Sequence, residues 1–208
     1  AAYGISEFVV CAGYKGELID NYFAPQNWIQ KSEQLCKSFP TGVAEPDWSV
    51  TVLDTGLETP TGGRLKAAGE LVADDRFICT YGDGLAPVDI SRLSAQHEQA
   101  GVLSTVTLAR PSSRFGIAEV DASGLVRSFR EKPQLDELVS IGFFVFEPQV
   151  LSLLDEDSVL EEQPVSYLAS SRNLSSFIHQ GFWQPIDTYR ELLQMQKLWD
   201  SGSPPWSP

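Results

Sequence analysis

The chain has 208 residues, the size of one domain or of one domain with an appendage. Hydrophobic residues make up 42% and charged residues 21% of the sequence, which excludes a disordered, collagen-like or coiled-coil chain. The 28 acidic residues outnumber the 15 Lys and Arg residues and give a net charge of −13, so the surface repels nucleic-acid phosphates and anionic lipids. We therefore expect neither a nucleic-acid partner nor a membrane partner.

Apolar runs and cysteines indicate the compartment. The longest apolar run, 141–146, is far shorter than the ~18 residues that a membrane-spanning helix needs, and no charged and apolar leader opens the chain. Cys11 and Cys79 lie in apolar runs, where a reduced thiol serves as a small hydrophobic group, and only Cys36 lies in a polar stretch. We expect a cytoplasmic protein.

The hydrophobic pattern predicts strands that alternate with helices. Predicted strands are 7–12, 50–54, 76–80, 104–109, 139–146 and 176–179, and predicted helices are 15–24, 61–72, 87–100, 148–154, 164–170 and a last helix that begins after Thr188. This alternation is typical of parallel βαβ units. Residues 25–48, which contain Pro25, Pro40, Gly42 and Pro46, are predicted to be an excursion from the main sheet, and 201–208 a C-terminal tail.

Two further local patterns are specific. Segments 115–120 and 125–130 alternate in polarity on either side of a turn that contains Gly124, which predicts an antiparallel hairpin inserted into the parallel fold. Thr188 and Glu191 form a capping box in which each side chain satisfies a backbone N–H at the start of the last helix. The carboxylate of Asp187 is then free to point elsewhere.

The two acidic residues Asp83 and Asp187 are candidates for binding a metal ion. Asp83 lies between Gly82 and Gly84, directly after the predicted strand 76–80, and ligands of open α/β sheets bind beyond the carboxyl ends of the strands. Two carboxylates with phosphate oxygens make a suitable shell for Mg²⁺, and Asp187 could supply the second. The alternative for Asp83 is a simple Asp-Gly turn.

A glycine-rich segment opens the predicted helix 61–72. Thr61, Gly62, Gly63 and Arg64 place free N–H groups and a guanidinium at a helix start, which favours binding of a phosphate, and glycines let a ligand approach the backbone. The alternative is a glycine-rich turn with a solvated arginine.

The Glu131-Lys132 pair and the two histidines are less specific features. Glu131 and Lys132 could form a surface pair or, in a cleft, bind a hydroxyl and a phosphate. His97 and His179 lack neighbours with the spacing of a metal site, so we expect both to be structural or solvated.

The order and spacing of the motifs are more specific than any single motif. The series is Gly13-Tyr-Lys-Gly16, Val52-Leu-Asp-Thr-Gly56, Thr61-Gly-Gly-Arg-Leu65, Tyr81-Gly-Asp-Gly84, Arg114-Phe-Gly116, Glu131-Lys-Pro133, Gly142-Phe-Phe-Val145 and Gly181-Phe-Trp-Gln-Pro-Ile-Asp-Thr188. Over essentially the whole chain it resembles the sugar-1-phosphate nucleotidyltransferases. Glu45-Pro46 with Trp48, and the final run from Trp199 to Trp206, are similar to the branch that uses CTP.

The resemblance implies a Rossmann-like, GT-A-like α/β fold and a set of functional residues. The implied roles are metal binding by Asp83 and Asp187; nucleotide binding by Thr61, Gly62, Gly63, Arg64, Gly82 and Asp83; sugar-phosphate binding by Glu131, Lys132 and Gly142; and catalysis by Lys132 and Arg64. The implied cofactor is Mg²⁺, and the implied substrates are CTP and glucose 1-phosphate, which give CDP-glucose and pyrophosphate. We also expect a homo-oligomer.

The chain departs from the family in two places. It starts at Ala1 without the strand, Gly-rich triphosphate loop and helix that open the family's fold, so we expect an N-terminally truncated domain, 1–208, that is inactive alone. Ser140 and Ile141 precede Gly142 where the family favours Asn-Gly. Two alternatives stay open: a relative that uses UTP or dTTP, and a non-catalytic remnant that serves as a subunit or binding module.

Overall fold

The computed structural model of the chain describes residues 2–23, 29–30, 36–40, 49–72 and 76–207. The chain divides into two compact units. The first comprises Ala1–Phe77, His97–Ser104 and Val145–Ser175, and the second comprises Ile78–Gln96, Thr105–Phe144 and Ser176–Pro208.

Strands and helices alternate as the sequence pattern predicts. The strands are β1 (Glu7–Ala12), β2 (Ile29–Gln30), β3 (Cys36–Pro40), β4 (Ser49–Asp54), β5 (Phe77–Thr80), β6 (Gly84–Leu85), β7 (Ser104–Ala109), β8 (Ile117–Val120), β9 (Val126–Arg130), β10 (Val139–Phe146), β11 (Leu174–Ile178) and β12 (Gln184–Pro185). The helices are α1 (Gly16–Phe23), α2 (Thr61–Val72), α3 (Ile90–Ala100), α4 (Gln163–Ser170) and α5 (Tyr189–Asp200), with a short 3₁₀ helix at Pro148–Leu153.

Strands β1 and β4 form the core of the first unit. They pair in parallel, with Val10 opposite Val52, and their connection contains α1, as predicted for a βαβ unit. One face of the pair packs Val50 and Val52 against Ile19 and Phe23 of α1, and the other packs Leu53 against Ala67 and Ala68 of α2. Both faces are covered, which explains why these strands are apolar on both sides.

Helix α2 approaches residues 156–158 closely through two glycines. A Cβ atom at Gly62 would lie 2.6 Å from the Ser158 carbonyl oxygen, and one at Gly63 would overlap the Glu156 carbonyl oxygen. The Gly63 N–H donates to the Ser158 carbonyl at 3.1 Å. The absence of side chains at these positions therefore lets two backbones pack directly against each other.

The predicted excursion 25–48 lies mostly outside the described residues. Its described parts are β2 and β3, and β3 pairs antiparallel with β4, so the strand order of this sheet is β1-β4-β3-β2. The sheet is therefore mixed, because β1 and β4 are parallel.

A second four-stranded sheet has the order β11-β7-β10-β5. Strands β8 and β9 form the predicted antiparallel hairpin, with an irregularity at Glu119 and Val120, and Gly124 adopts a φ of +88° in its turn. In the C-terminal tail, Trp206 packs on Phe182 with ring centroids 5.8 Å apart. No helix among the described residues is long and apolar enough to span a membrane.

The predicted fold class is confirmed: the chain is an α/β protein with an antiparallel insertion. Nine predicted elements differ from the observed ones only at their ends, for instance α3, which begins at Ile90 and not at residue 87. The loss of a first βα unit and the domain limits stay predictions.

The close packing of α2 gives a test of the glycines. We expect Gly63→Ala to lower the free energy of unfolding by about 1 to 2 kcal/mol, because an overpacking cost of up to about 3 kcal/mol against the Glu156 carbonyl outweighs the gain of about 1 kcal/mol in helix propensity. Urea denaturation followed by circular dichroism measures the change. Glu70→Ala, at an exposed position of the same helix, should change stability by less than about 0.5 kcal/mol. An unchanged or higher stability of Gly63→Ala would show that this contact is loose.

Candidate active site

A two-stranded ribbon in the second unit joins Asp83 to Asp187. Strands β6 and β12 pair antiparallel, with Gly84 opposite Pro185, and the Ile186 N–H donates to the Asp83 carbonyl oxygen at 2.8 Å. Asp83 thus accepts this hydrogen bond, Asp187 directly follows its donor in the chain, and both residues are exposed. The sequence predicted that these carboxylates could meet, and the ribbon brings their backbones together.

The predicted capping box fixes the backbone of Asp187. The Thr188 hydroxyl accepts from the Glu191 N–H at 3.3 Å, while Glu191 Oε2 accepts from the N–H groups of Asp187 at 2.9 Å and Thr188 at 2.8 Å. The Thr188 hydroxyl, these two N–H groups and the charge of Arg114 hold the pKa of Glu191 below its usual value. The Asp187 side chain takes no part in the cap, as predicted.

Arg114 lies against the Asp187 carboxylate. Its Nη2 donates to Asp187 Oδ2 at 2.7 Å and lies 3.8 Å from Glu191 Oε1. The Arg114 and Asp187 side chains are 62% and 48% exposed, so this ion pair is well solvated and contributes little to stability. A carboxylate that attracts a guanidinium in this position offers an accessible anionic ligand.

The Glu131-Lys132 segment is held beside residues 111–113. The Ser113 N–H donates to the Pro133 carbonyl at 2.8 Å, and the Leu135 N–H donates to the Pro111 carbonyl at 2.8 Å. Lys132 has a φ of +45°, in the left-handed region, although it precedes a proline. Such a conformation costs about 1 to 3 kcal/mol for a residue with a Cβ and is common at functional sites.

Gly142 supports the residue that precedes the Asp83 loop. It has a φ of +79°, and a Cβ atom there would lie 2.5 Å from the Tyr81 ring. The Tyr81 N–H donates to the Gly142 carbonyl at 3.2 Å. The glycine therefore positions Tyr81 next to Gly82 and Asp83, and its predicted contact with the sugar phosphate stays a prediction.

The Thr61 hydroxyl ties the start of α2 to the first unit. It donates to Glu161 Oε2 at 2.7 Å and accepts from the Leu160 N–H at 3.0 Å. The Gly63 N–H donates to the Ser158 carbonyl and the Arg64 N–H donates to the Pro60 carbonyl, so these N–H groups also have partners within the unit. Thr61, Gly62 and Gly63 therefore help to pack α2 against the first unit, and their role in nucleotide binding stays a prediction.

Arg64 forms hydrogen bonds at the carboxyl ends of β1 and β4. Its Nη1 donates to the Ala12 carbonyl at 3.1 Å and to the Thr55 hydroxyl at 2.6 Å, and its Nη2 donates to the Leu57 carbonyl at 3.2 Å. A Cβ atom at Gly13 would lie 2.7 Å from Nη2, so the first glycine of the motif series makes room for the guanidinium. The alternative of a solvated arginine is wrong, because the side chain is bound to these groups.

The remaining polar residues of interest have structural surroundings. His97 is 1% exposed, with its Nε2 3.2 Å from Glu147 Oε1, and the His179 Nε2 donates to the Phe182 carbonyl at 2.9 Å. Burial raises the pKa of the Cys11 thiol, which donates to the Arg64 carbonyl at 3.6 Å. Among the described residues no three His, Cys, Asp or Glu side chains form a metal cluster.

Sequence reasoning assigned no role to Arg114 or to the Ile186 N–H. Arg114 is part of the Arg-Phe-Gly motif, but its partner lies 73 residues away and no spacing connects the two. Strands β6 and β12 have two residues each, too few for a periodic hydrophobic signal.

Known proteins are similar to this chain over most of its length. The family model described as Nucleotidyl transferase matches residues 4–200. The chain is 40% identical to glucose-1-phosphate cytidylyltransferase of Salmonella typhi, over 99% of this chain and 82% of that protein. It is 38% identical to the probable glucose-1-phosphate cytidylyltransferase of Bacillus subtilis (strain 168), over 98% of this chain and 82% of that protein. A UTP–glucose-1-phosphate uridylyltransferase of Synechocystis is 26% identical over 73% of this chain and 40% of that protein.

Solved structures agree with the fold. HddC from Yersinia pseudotuberculosis superposes with a TM-score of 0.62 at 14% identity, over 93% of this chain and 78% of that one. A putative glucose-1-phosphate thymidylyltransferase from Bacillus anthracis gives 0.52 at 18% identity, over 72% and 63% of the two chains. From the motif series, the fold and these matches we conclude that the chain belongs to the nucleotidyl transferase family.

Proposed function

We propose that the protein transfers a cytidylyl group from CTP to glucose 1-phosphate, producing CDP-glucose and pyrophosphate with Mg²⁺ as cofactor. The observation that carries the proposal is the hydrogen bond from the Ile186 N–H to the Asp83 carbonyl, which brings the backbones of two exposed aspartates together. The relatives with 38% and 40% identity that carry the cytidylyltransferase name support the choice of substrates.

The residues fit a hard divalent cation. Asp83 and Asp187 offer oxygen ligands, Mg²⁺ is commonly bound through one or two carboxylates together with substrate phosphates, and Asp187 already attracts a cation, the Arg114 guanidinium. When bound, Mg²⁺ neutralises charge on the phosphates and polarises the phosphorus that is attacked. Asp83 and Asp187 would hold it.

The reaction requires positioning and charge neutralisation. The phosphate oxygen of glucose 1-phosphate forms a bond to the α-phosphorus of CTP, the bond from that phosphorus to the bridging oxygen breaks, and pyrophosphate leaves with the electron pair. No protein nucleophile is needed. In this proposal Lys132 binds the sugar phosphate and Glu131 binds a sugar hydroxyl, while the nucleotide-binding roles of Arg64, of residues 61–63 and of Gly82 are those that the family resemblance implies.

Arg64 is suited to an ordered electrostatic role. A guanidinium carries five N–H donors, and contacts within the described part of the chain use three of them. The side chain is thereby held in one orientation, and the other two donors, which have no partner among the described residues, would serve a phosphate. A homo-oligomer and a cytoplasmic location stay predictions from the sequence.

The choice of base is tested by nucleotide preference. We expect the full-length protein to release pyrophosphate from CTP and glucose 1-phosphate faster than from UTP, dTTP or GTP, because its closer relatives carry the cytidylyltransferase name. A coupled assay for pyrophosphate with each nucleoside triphosphate measures the preference. A preference of more than about tenfold for UTP or dTTP would contradict the cytidylyl assignment but not the family.

The metal assignment is tested by Asp83→Asn and Asp187→Asn. Each change removes one charge from the metal ligands, and we expect kcat to fall at least about a hundredfold with little change in stability. Asp136→Asn, an exposed position of the same unit, should leave kcat within about twofold. If Asp83→Asn or Asp187→Asn unfolds the protein while the folded fraction keeps normal specific activity, the aspartate is a turn or cap residue and the assignment is wrong.

A further inference from the structure

Arg114 binds the carboxylate of Asp187, which the proposed function assigns to the metal ion. Its Nη2 lies 2.7 Å from Asp187 Oδ2, which is the distance of a strong charge-assisted hydrogen bond. A divalent cation on the same carboxylate would lie close to a full positive charge, and the two would repel each other. Binding of a cation at Asp187 therefore requires that Arg114 moves or that its charge is compensated.

Glu191 offers a second position for the same guanidinium. Its Oε2 is the capping oxygen and accepts from the N–H groups of Asp187 and Thr188 and from the Thr188 hydroxyl at 3.0 Å. Its Oε1 faces Arg114 at 3.8 Å, about one ångström beyond a direct hydrogen bond. The cap holds this carboxylate still, so a small displacement of Arg114 exchanges one anionic partner for another.

We propose that Arg114 is a positioning residue that neutralises Asp187 in the metal-free protein and moves to Glu191 Oε1 when a divalent cation binds Asp187. This inference rests on the proposed function in one respect, the assignment of Asp187 as a metal ligand. Arg114 then prevents a bare pair of carboxylates from repelling the incoming polyphosphate, and Glu191 keeps the displaced guanidinium beside the site.

The experiment measures Mn²⁺ binding to the full-length protein without nucleotide, by electron paramagnetic resonance of free Mn²⁺. Arg114→Gln should tighten binding by about two- to fivefold, the range that exposed ion pairs cover. Glu191→Gln should weaken it, because Arg114 loses its second partner, whereas glutamine still completes the capping box. Arg190→Gln removes a positive charge from an exposed position at the start of α5 and measures the general effect of charge.

A double variant separates exchange from general electrostatics. If Glu191 acts through Arg114, Glu191→Gln has no further effect in the Arg114→Gln background, whereas independent charge effects add. An additive result, or an Arg114→Gln effect no larger than that of Arg190→Gln, overturns the inference.

Asp187→Asn tells the two proposals apart. Loss of Mn²⁺ binding in Asp187→Asn with no gain in Arg114→Gln overturns the exchange and leaves the metal assignment intact. Unchanged binding in Asp187→Asn overturns both. Failure of both the wild-type protein and Arg114→Gln to bind Mn²⁺ at millimolar concentration also overturns the exchange, while binding by Arg114→Gln alone supports it.

Discussion

The hydrogen bond from the Ile186 N–H to the Asp83 carbonyl is the contact on which the candidate site depends. Asp83 and Asp187 are 104 residues apart in the sequence, and the short ribbon of β6 and β12 gives them a common backbone support. The capping box then fixes the next residue on one side, and the Tyr81 contact with Gly142 fixes the loop on the other. Main-chain groups make these supporting contacts, so the side chains of both aspartates stay exposed.

The sequence predicted the elements that bury a regular apolar face. Strand β1 and helix α2 have the expected limits, since both pack into the core of the first unit through apolar residues that the sequence shows directly. It also predicted the cap at Thr188, because a capping box is complete within four residues. The ribbon of β6 and β12 could not be predicted from the sequence. It consists of two pairs of residues from distant parts of the chain, and such short strands leave no periodic pattern.

The sequence shows where glycines leave space but not what fills that space. The pattern Gly62-Gly63 suggested room for a ligand, and in the first unit that room is filled by the backbone of residues 156–158. Gly13 likewise admits the Arg64 guanidinium. A sequence shows that a side chain is absent but not which neighbour uses the space. Nucleotide binding near α2 therefore depends on experiments on Arg64 more than on the glycines.

The left-handed backbone of Lys132 restricts how this position can vary. Gly or Asn would adopt the same φ of +45° at lower cost but would remove the positive charge, whereas Arg would keep the charge and retain the strain. A β-branched residue would satisfy neither requirement. Selection for thermal stability alone would thus favour replacing the lysine, and the strain at this position agrees with the proposal that Lys132 binds the sugar phosphate.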